Sequence, residues 1–334
     1  MSIQIGRDTY IAVGLEATAG TTSTASKKYI PCVSANMKAV ADPINDDAVK
    51  GVRENVWGSI VGQKRGEGDI ECYVDAENAA YLLYPALGSI SSTNAAGEST
   101  VYVHTITRKN TNPPKTFTLW NDDGVAIRNY NYTTINTAEL NVSDGLATLT
   151  ANLLSKFPST GTGTRAITEE RILAFKDYEI QFGSGATGTA ALADADGNDA
   201  TPVRSFMLSI NNNAEAQYLS GDNDIAQVSV NELEITGEYT LFYENTNERD
   251  FYESQVYGAD EVRAMIVTFT GDSVGTASNE KIVIKIPNFK LSDRTIDTAS
   301  AGFITENPMF TAHYDPTEAK SIQIEITNET ESYD

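Results

Sequence analysis

Histidine and cysteine are nearly missing from this sequence, with two of each among 334 residues. His104, His313, Cys32 and Cys72 are too few and too scattered to supply the clustered donors of a zinc site. A catalytic histidine would need a nucleophile and an orienting acid, and no Gly-x-Ser-x-Gly elbow or His-Glu-x-x-His pair accompanies either one. Long apolar runs are missing too. Tyr81-Leu82-Leu83-Tyr84 and Met265-Ile266-Val267 are typical, far short of the ~20 residues that span a bilayer. Met1 to Asp8 lacks the charged-then-apolar pattern of an export signal, so the expectation is synthesis in a cytosol. Positive charge is scarce: 24 Lys and Arg face 46 Asp and Glu, for a net charge of −22. Nucleic-acid binding of the ordinary kind needs basic patches that displace counterions, and this balance disfavours it.

The remaining chemical candidates read as structure. Cys32 and Cys72 lie in strand-like apolar contexts, where reduced cysteine behaves as a small hydrophobe, so two buried thiols are expected rather than a disulfide. Asp194-Ala195-Asp196-Gly197-Asn198-Asp199 has its glycine at the fourth position and no ligand at the twelfth, unlike a calcium loop. Gly183-Ser184-Gly185-Ala186-Thr187-Gly188 lacks the lysine and the strand-to-helix setting of a phosphate loop. Asp46-Asp47, Asp122-Asp123 and Glu169-Glu170 occupy loop contexts, where paired carboxylates usually serve solvation. No catalytic, cofactor-binding or metal-binding residue is assigned, and no enzyme is expected.

What is present is a repeat. Gly68-Asp69-Ile70-Glu71-Cys72-Tyr73-Val74-Asp75 leads into an Ala/Leu/Tyr-rich stretch ending at Gly88, and Gly237-Glu238-Tyr239-Thr240-Leu241-Phe242-Tyr243-Glu244 leads into another ending at Gly258. Upstream, Val33-Ser34-Ala35-Asn36 answers Leu208-Ser209-Ile210-Asn211. Such self-similarity predicts two copies of one supersecondary unit. The boundaries follow composition: an irregular polar arm over 1–27, a first unit over 28–157, a Pro/Ser/Thr/Gly linker over 158–167, and a second unit over 168–334. Helices are expected at Asp75–Leu87, with Asp75 as N-cap and Gly88 at C′, and at Asn247–Tyr257, with Phe251, Tyr252 and Val256 on one side. Pro85 threatens the first of these. Ala41 to Gly68 reads as an extended hairpin or loop. Short strands at regular spacing fill the rest, so the fold class is mainly β with flanking helices: two tandem β-sandwich or barrel units with one helix each. Charge divides unevenly between the halves. Residues 1–167 carry 16 acids and 14 bases, whereas residues 168–334 carry 30 acids and 10 bases.

Ile11-Ala12-Val13-Gly14-Leu15-Glu16-Ala17-Thr18-Ala19-Gly20-Thr21, followed by Tyr29-Ile30-Pro31-Cys32-Val33-Ser34, resembles the opening of tail tube proteins of long-tailed, non-contractile bacteriophages. Lys285-Ile286-Pro287-Asn288-Phe289 is similar to that family's closing segment. The resemblance implies a β-sandwich with a flanking helix, one sheet of which joins its neighbours in a ring, and rings that stack into a hollow tube. It implies self-association, a tape measure protein and tail-end proteins as partners, genomic DNA that passes through without specific binding, and residence in the virion after synthesis in the host cytoplasm. An acidic lumen would then keep DNA sliding. With two units per chain, three chains would make a pseudo-six-fold ring, the arrangement favoured over a hexamer. Another virion structural protein, a capsid decoration or an adhesin-type β module, remains the alternative reading.

Overall fold

The computed structural model describes residues 9–24, 27–48, 50–51, 53, 55–163, 166, 171–184, 186–187, 192–257, 261–298 and 302–333. Expectations placed on Met1–Asp8, Glu169-Glu170, Gly185, Gly188 and Gly258 fall outside these residues. In the first half, β1 (Tyr10–Leu15), β2 (Lys28–Ile30) and β3 (Cys32–Ala35) precede a hairpin of β4 (Lys38–Asp46) and β5 (Gly58–Tyr73). Helix α1 (Asn78–Leu87) follows, then β6 (Gly88–Asn94), β7 (Tyr102–Arg108), β8 (Phe117–Asp122), β9 (Ile127–Val142) and β10 (Thr148–Ser155). The connection to the second half holds β11 (Ser159–Thr160). Next come β12 (Tyr178–Phe182), β13 (Ala186–Thr187), α2 (Leu192–Ala195), β14 (Val203–Asn211), β15 (Glu215–Gln217), β16 (Gln227–Ser229) and β17 (Glu234–Phe242). The chain closes with α3 (Asn247–Val256), β18 (Glu261–Val274), β19 (Ser278–Asp297), β20 (Thr305–Ala312) and β21 (Gln323–Asn328).

The principal sheet runs β3–β5–β10–β9–β14–β17–β20–β19, all antiparallel. A second sheet runs β6–β7–β21–β19–β18–β12 and uses the first part of β19. A third, smaller set joins β2, β1, β8, the start of β9 and β11. Alternation of polar and apolar residues makes these strands two-faced. In β10 each of Leu149, Ala151 and Leu153 is buried while the residues between them are not, and β14 does the same with Phe206, Leu208 and Ile210. The buried faces of both large sheets meet in one core with α1 and Phe251 of α3. Phe289 and Phe310 pack edge to face at 5.5 Å there, and Phe182 tilts against Tyr239 at 5.0 Å. Truncating one such ring to alanine costs about 3–5 kcal/mol.

Helix α1 ends at Leu87 as its sequence predicts but starts at Asn78, three residues after the expected start, with Glu77 rather than Asp75 in the N-cap position. The Asp75 carboxylate accepts from the backbone N–H of Glu77 (3.0 Å) and Asn78 (2.6 Å), which closes the N-terminus. Gly88, at φ +91°, ends it by donating its N–H to the Tyr84 carbonyl. Pro85 sits in the last turn, where it removes one hydrogen bond and breaks nothing further. Ala41–Gly68 is part of a protruding two-stranded hairpin whose outer half is exposed on both faces.

Four expectations need amendment. The supposed irregular arm contains β1, all six residues of which are buried between β2 and β8; a strand covered on both faces shows no alternation to read. The strands expected to be short are not all so: β9 runs unbroken for 16 residues. Val256 of α3 is exposed, and that helix is anchored by Phe251 and by Glu248, which accepts from the Tyr239 hydroxyl (2.7 Å) and pairs with Arg263 (2.8 Å). The flanks of the repeat also align differently. Cys32 and Ser34 face Cys72 and Glu71 with a bulge between them, and Val203 and Ser205 face Leu241 and Thr240 with the same bulge. The counterpart of Val33-Ser34-Ala35-Asn36 is therefore Arg204-Ser205-Phe206-Met207, not Leu208-Ser209-Ile210-Asn211. One unpaired residue in each strand hid the register from the sequence.

Candidate functional site

The outward face of the principal sheet is a broad polar surface. One row crosses seven strands without a break: Thr311, Thr236, Ser209, Glu139, Thr150, Glu71 and Ser34. The row on one side of it carries Met309, Glu238, Met207, Asn141, Thr148 and Tyr73. The row on the other side carries Glu234, Asn211, Thr137, Asn152 and Asp69. Side-chain amides tie the sheet together: Asn136 donates to Asn152 (3.1 Å), and Asn152 donates to Asp69 (2.8 Å).

No Lys or Arg occurs in residues 68–73, 136–142, 148–155, 205–211, 234–242 or 305–312, the central stretches of the six inner strands; on the outer strands Lys290 of β19 faces Thr311 at one end of the central row, and Lys38 of β4 faces Glu67 at the other edge. On these inner stretches its charged groups are Asp69, Glu71, Glu139, Glu234 and Glu238. Three come from the first half and two from the second, so on this surface the halves carry acid alike despite their very different net charges. The surplus of the second half lies elsewhere, including exposed Glu244, Asp250 and Glu253 at α3. The outer face of the second sheet differs in kind. Lys281 and Lys285 stand on it, Lys285 paired with Glu325 at 2.7 Å, and Leu192 and Ala195 of α2 cover Val262, Ala264 and Ile266.

Residues singled out in the sequence take structural positions. His104 is buried, one ring nitrogen 2.7 Å from the Ser92 hydroxyl and the other 3.1 Å from the Asn328 side-chain oxygen. Asn328 in turn donates to the Ala76 carbonyl and to Tyr333, so this cluster fastens the C-terminal segment over α1. His313 is exposed beyond β20. Cys72 is buried and Cys32 half-buried; both are free thiols, and burial pushes both up from the usual thiol range. Asp122 and Asp123 accept from the turn N–H groups of Gly124, Val125 and Ala126, and Asp46 pairs with Lys50. Among the described residues no cluster of three His, Cys, Asp or Glu could hold a metal, and no helix is long and apolar enough to cross a membrane.

The Gly14–Thr21 segment acquires a physical reason. Glu16 is 2% exposed, and its carboxylate accepts from the Gly20 N–H (2.7 Å), the Thr116 hydroxyl (2.7 Å), the Thr118 hydroxyl (3.0 Å) and the Tyr132 N–H (2.9 Å). The short turn from Thr18 to Thr21, with Gly20 at φ +81°, presents one of these donors. A buried carboxylate fully met by hydrogen bonds welds β1 to β8 and β9.

The sequence model described as "Phage tail tube protein" matches residues 6–329. The chain belongs to the phage tail tube protein family. No curated protein matches it. As a member of the family it is a structural component of the phage tail, and the acid-rich sheet face can be weighed as a wall of that tube.

Proposed function

We propose that three copies of this tail tube protein close into a ring, and that the principal sheets join into one barrel whose outward rows face the channel. The observation that carries the proposal is the eight-stranded sheet whose six inner strands present an acidic and neutral face, with Lys290 and Lys38 on the outer strands. Three such sheets supply a barrel of about 24 strands, roughly 50 Å across at the backbone for ordinary strand spacing and tilt. That leaves room for a DNA duplex, whereas six such sheets would enclose about twice the width. Within the chain the order β3–β5–β10–β9 is matched by β14–β17–β20–β19, which supports a duplicated unit standing twice along the wall and hence pseudo-six-fold order. Side by side in one sheet, both units present their polar rows to the same side.

In the lumen, Asp69, Glu71, Glu139, Glu234 and Glu238 repel phosphate, and the Thr, Ser and Asn between them offer no cation to hold it. DNA passing during ejection meets a surface that does not bind it. The exposed outer half of the β4–β5 hairpin, bearing Ile44, Trp57, Ile60 and Val61, would contact the next ring. The test is a phage carrying Glu71→Lys and Glu139→Lys. Tubes of normal appearance with slowed or incomplete ejection support the reading, and unchanged ejection kinetics would defeat it.

A further inference from the structure

The chain contains a replica of a seam it has to make with another copy. The first four-strand unit ends on β9, which pairs with β14, the first strand of the second unit. The second unit ends on β19, which in that part pairs with β20 alone, and the first unit opens on β3 and β4, which pair with β5 alone. Among the described residues no strand lies alongside either outer edge of the principal sheet; at the β19 edge the Leu291 N–H donates to the Gln255 side chain, and the rest of each edge is open to another strand.

The two units agree in register closely enough to transfer the seam residue by residue. Gly68 faces Leu153 as Gly237 faces Phe310. β9 has a bulge opposite the step between Asn152 and Leu153, and β19 has one between Leu291 and Asp293, opposite the equivalent step of β20. Lys38 faces Glu67 as Ser209 faces Thr236. These correspondences set Thr295 in the place of Glu139, and Lys38 in the place of Ser209.

Resting on the ring reading above, the geometry points to an antiparallel seam in which β19 of one chain pairs with the Ala35–Val40 segment of a second copy, Thr295 opposite Lys38 and Ile296 opposite Met37. Chemistry agrees with that register. Lys38, paired with Glu67 at 3.1 Å in the single chain and with its side chain 65% exposed, comes to lie diagonally between Asp293 and Asp297 of the neighbour, which adds two carboxylates around the one lysine at this edge. Ile296, 38% exposed in the single chain, turns to the core side against Met37, which already packs on the core. Free Asp293 and Asp297 edges also discourage pairing with a like edge, which favours head-to-tail closure over random aggregation.

The experiment is cross-linking of assembled protein carrying Thr295→Cys with Lys38→Cys, against a slipped control of Thr295→Cys with Val40→Cys. The two positions of each pair lie at opposite edges of one eight-stranded sheet, so a disulfide can form only between chains. Mild oxidation should convert the first variant to covalent dimers and trimers, ending at the closed ring, and leave the slipped control and the unmutated protein largely monomeric on a non-reducing gel. Rings or tubes that form without this cross-link, or that cross-link better in the control, overturn the seam while leaving the ring reading intact. Unmutated protein that forms neither rings nor tubes overturns both. As a check independent of engineered thiols, Lys38→Glu should raise the concentration needed for assembly about fivefold, the ratio a cross-strand ion pair is worth, and Asp293→Lys with Asp297→Lys should restore it. Absence of restoration counts against the register.

Discussion

Gly68 and Gly237 occupy matching points in the principal sheet, and each is pressed against a carbonyl oxygen of the neighbouring segment, that of Asn36 in one case and of Met207 in the other. A Cβ at either position would overlap that oxygen, and at Gly237 it would also strike the ring of Phe310. Backbone cannot yield as a flexible side chain can. Gly68→Ala and Gly237→Ala should each destabilise the protein by about 2–3 kcal/mol, measured by denaturant unfolding, whereas Gly97→Ala, where a Cβ meets nothing within 4 Å, should cost less despite its φ of +82°.

Glu16 is the second point of concentration. Four donors from three segments converge on its carboxylate, and removing it leaves them buried and unmet. Glu16→Ala should cost about 3 kcal/mol, and Glu16→Gln less, since an amide oxygen still accepts. Loss of protection in β1 and β8 by hydrogen exchange, with the second sheet unaffected, would place the damage where the contacts are.

Much of this was legible in the sequence, for reasons that differ by element. Strands such as β10 and β14 cover a core on one face only, so alternation betrays them. Helix α1 announced itself through Asp75, its Ala/Leu content and Gly88. β1 was hidden because Tyr10–Leu15 is covered on both faces, and the register of the repeat was hidden by single unpaired residues at Val33 and Arg204. The polar face of the sheet was written in Glu71, Glu139 and Glu238, but nothing in a linear sequence places strands 70 or more residues apart in one row. Glu16 could be seen as part of a motif, yet its partners Thr116, Thr118 and Tyr132 could not.

His104 gives the fold a sensitivity to acid. Burial holds its pKa below the ordinary value of ~6.5, so the folded state favours the neutral ring and protonation favours the unfolded chain. Its contribution is complete above the ordinary value and is lost as pH falls through the lowered one. The thermal midpoint should drop between pH 7.5 and pH 5, and His104→Gln should flatten that part of the profile. An unchanged slope in the variant would remove His104 from the explanation.

The thiols should behave unequally. Cys72 is 1% exposed and Cys32 is half-buried, and burial keeps both protonated at neutral pH. A thiol reagent applied to folded protein should modify Cys32 slowly and Cys72 only on unfolding, with intact mass confirming that neither is oxidised.

The central claim is that the acidic face of the principal sheet, base-free along the central stretches of its six inner strands, lines a channel closed by three chains. Electron cryomicroscopy of tubes assembled from the purified protein tests it most directly. The account predicts three copies per ring, a ring mass three times 36.1 kDa, and a wall in which Glu71, Glu139 and Glu238 point into the lumen. Six copies per ring, or a lumen lined instead by the Lys281 and Lys285 face of the second sheet, would contradict it.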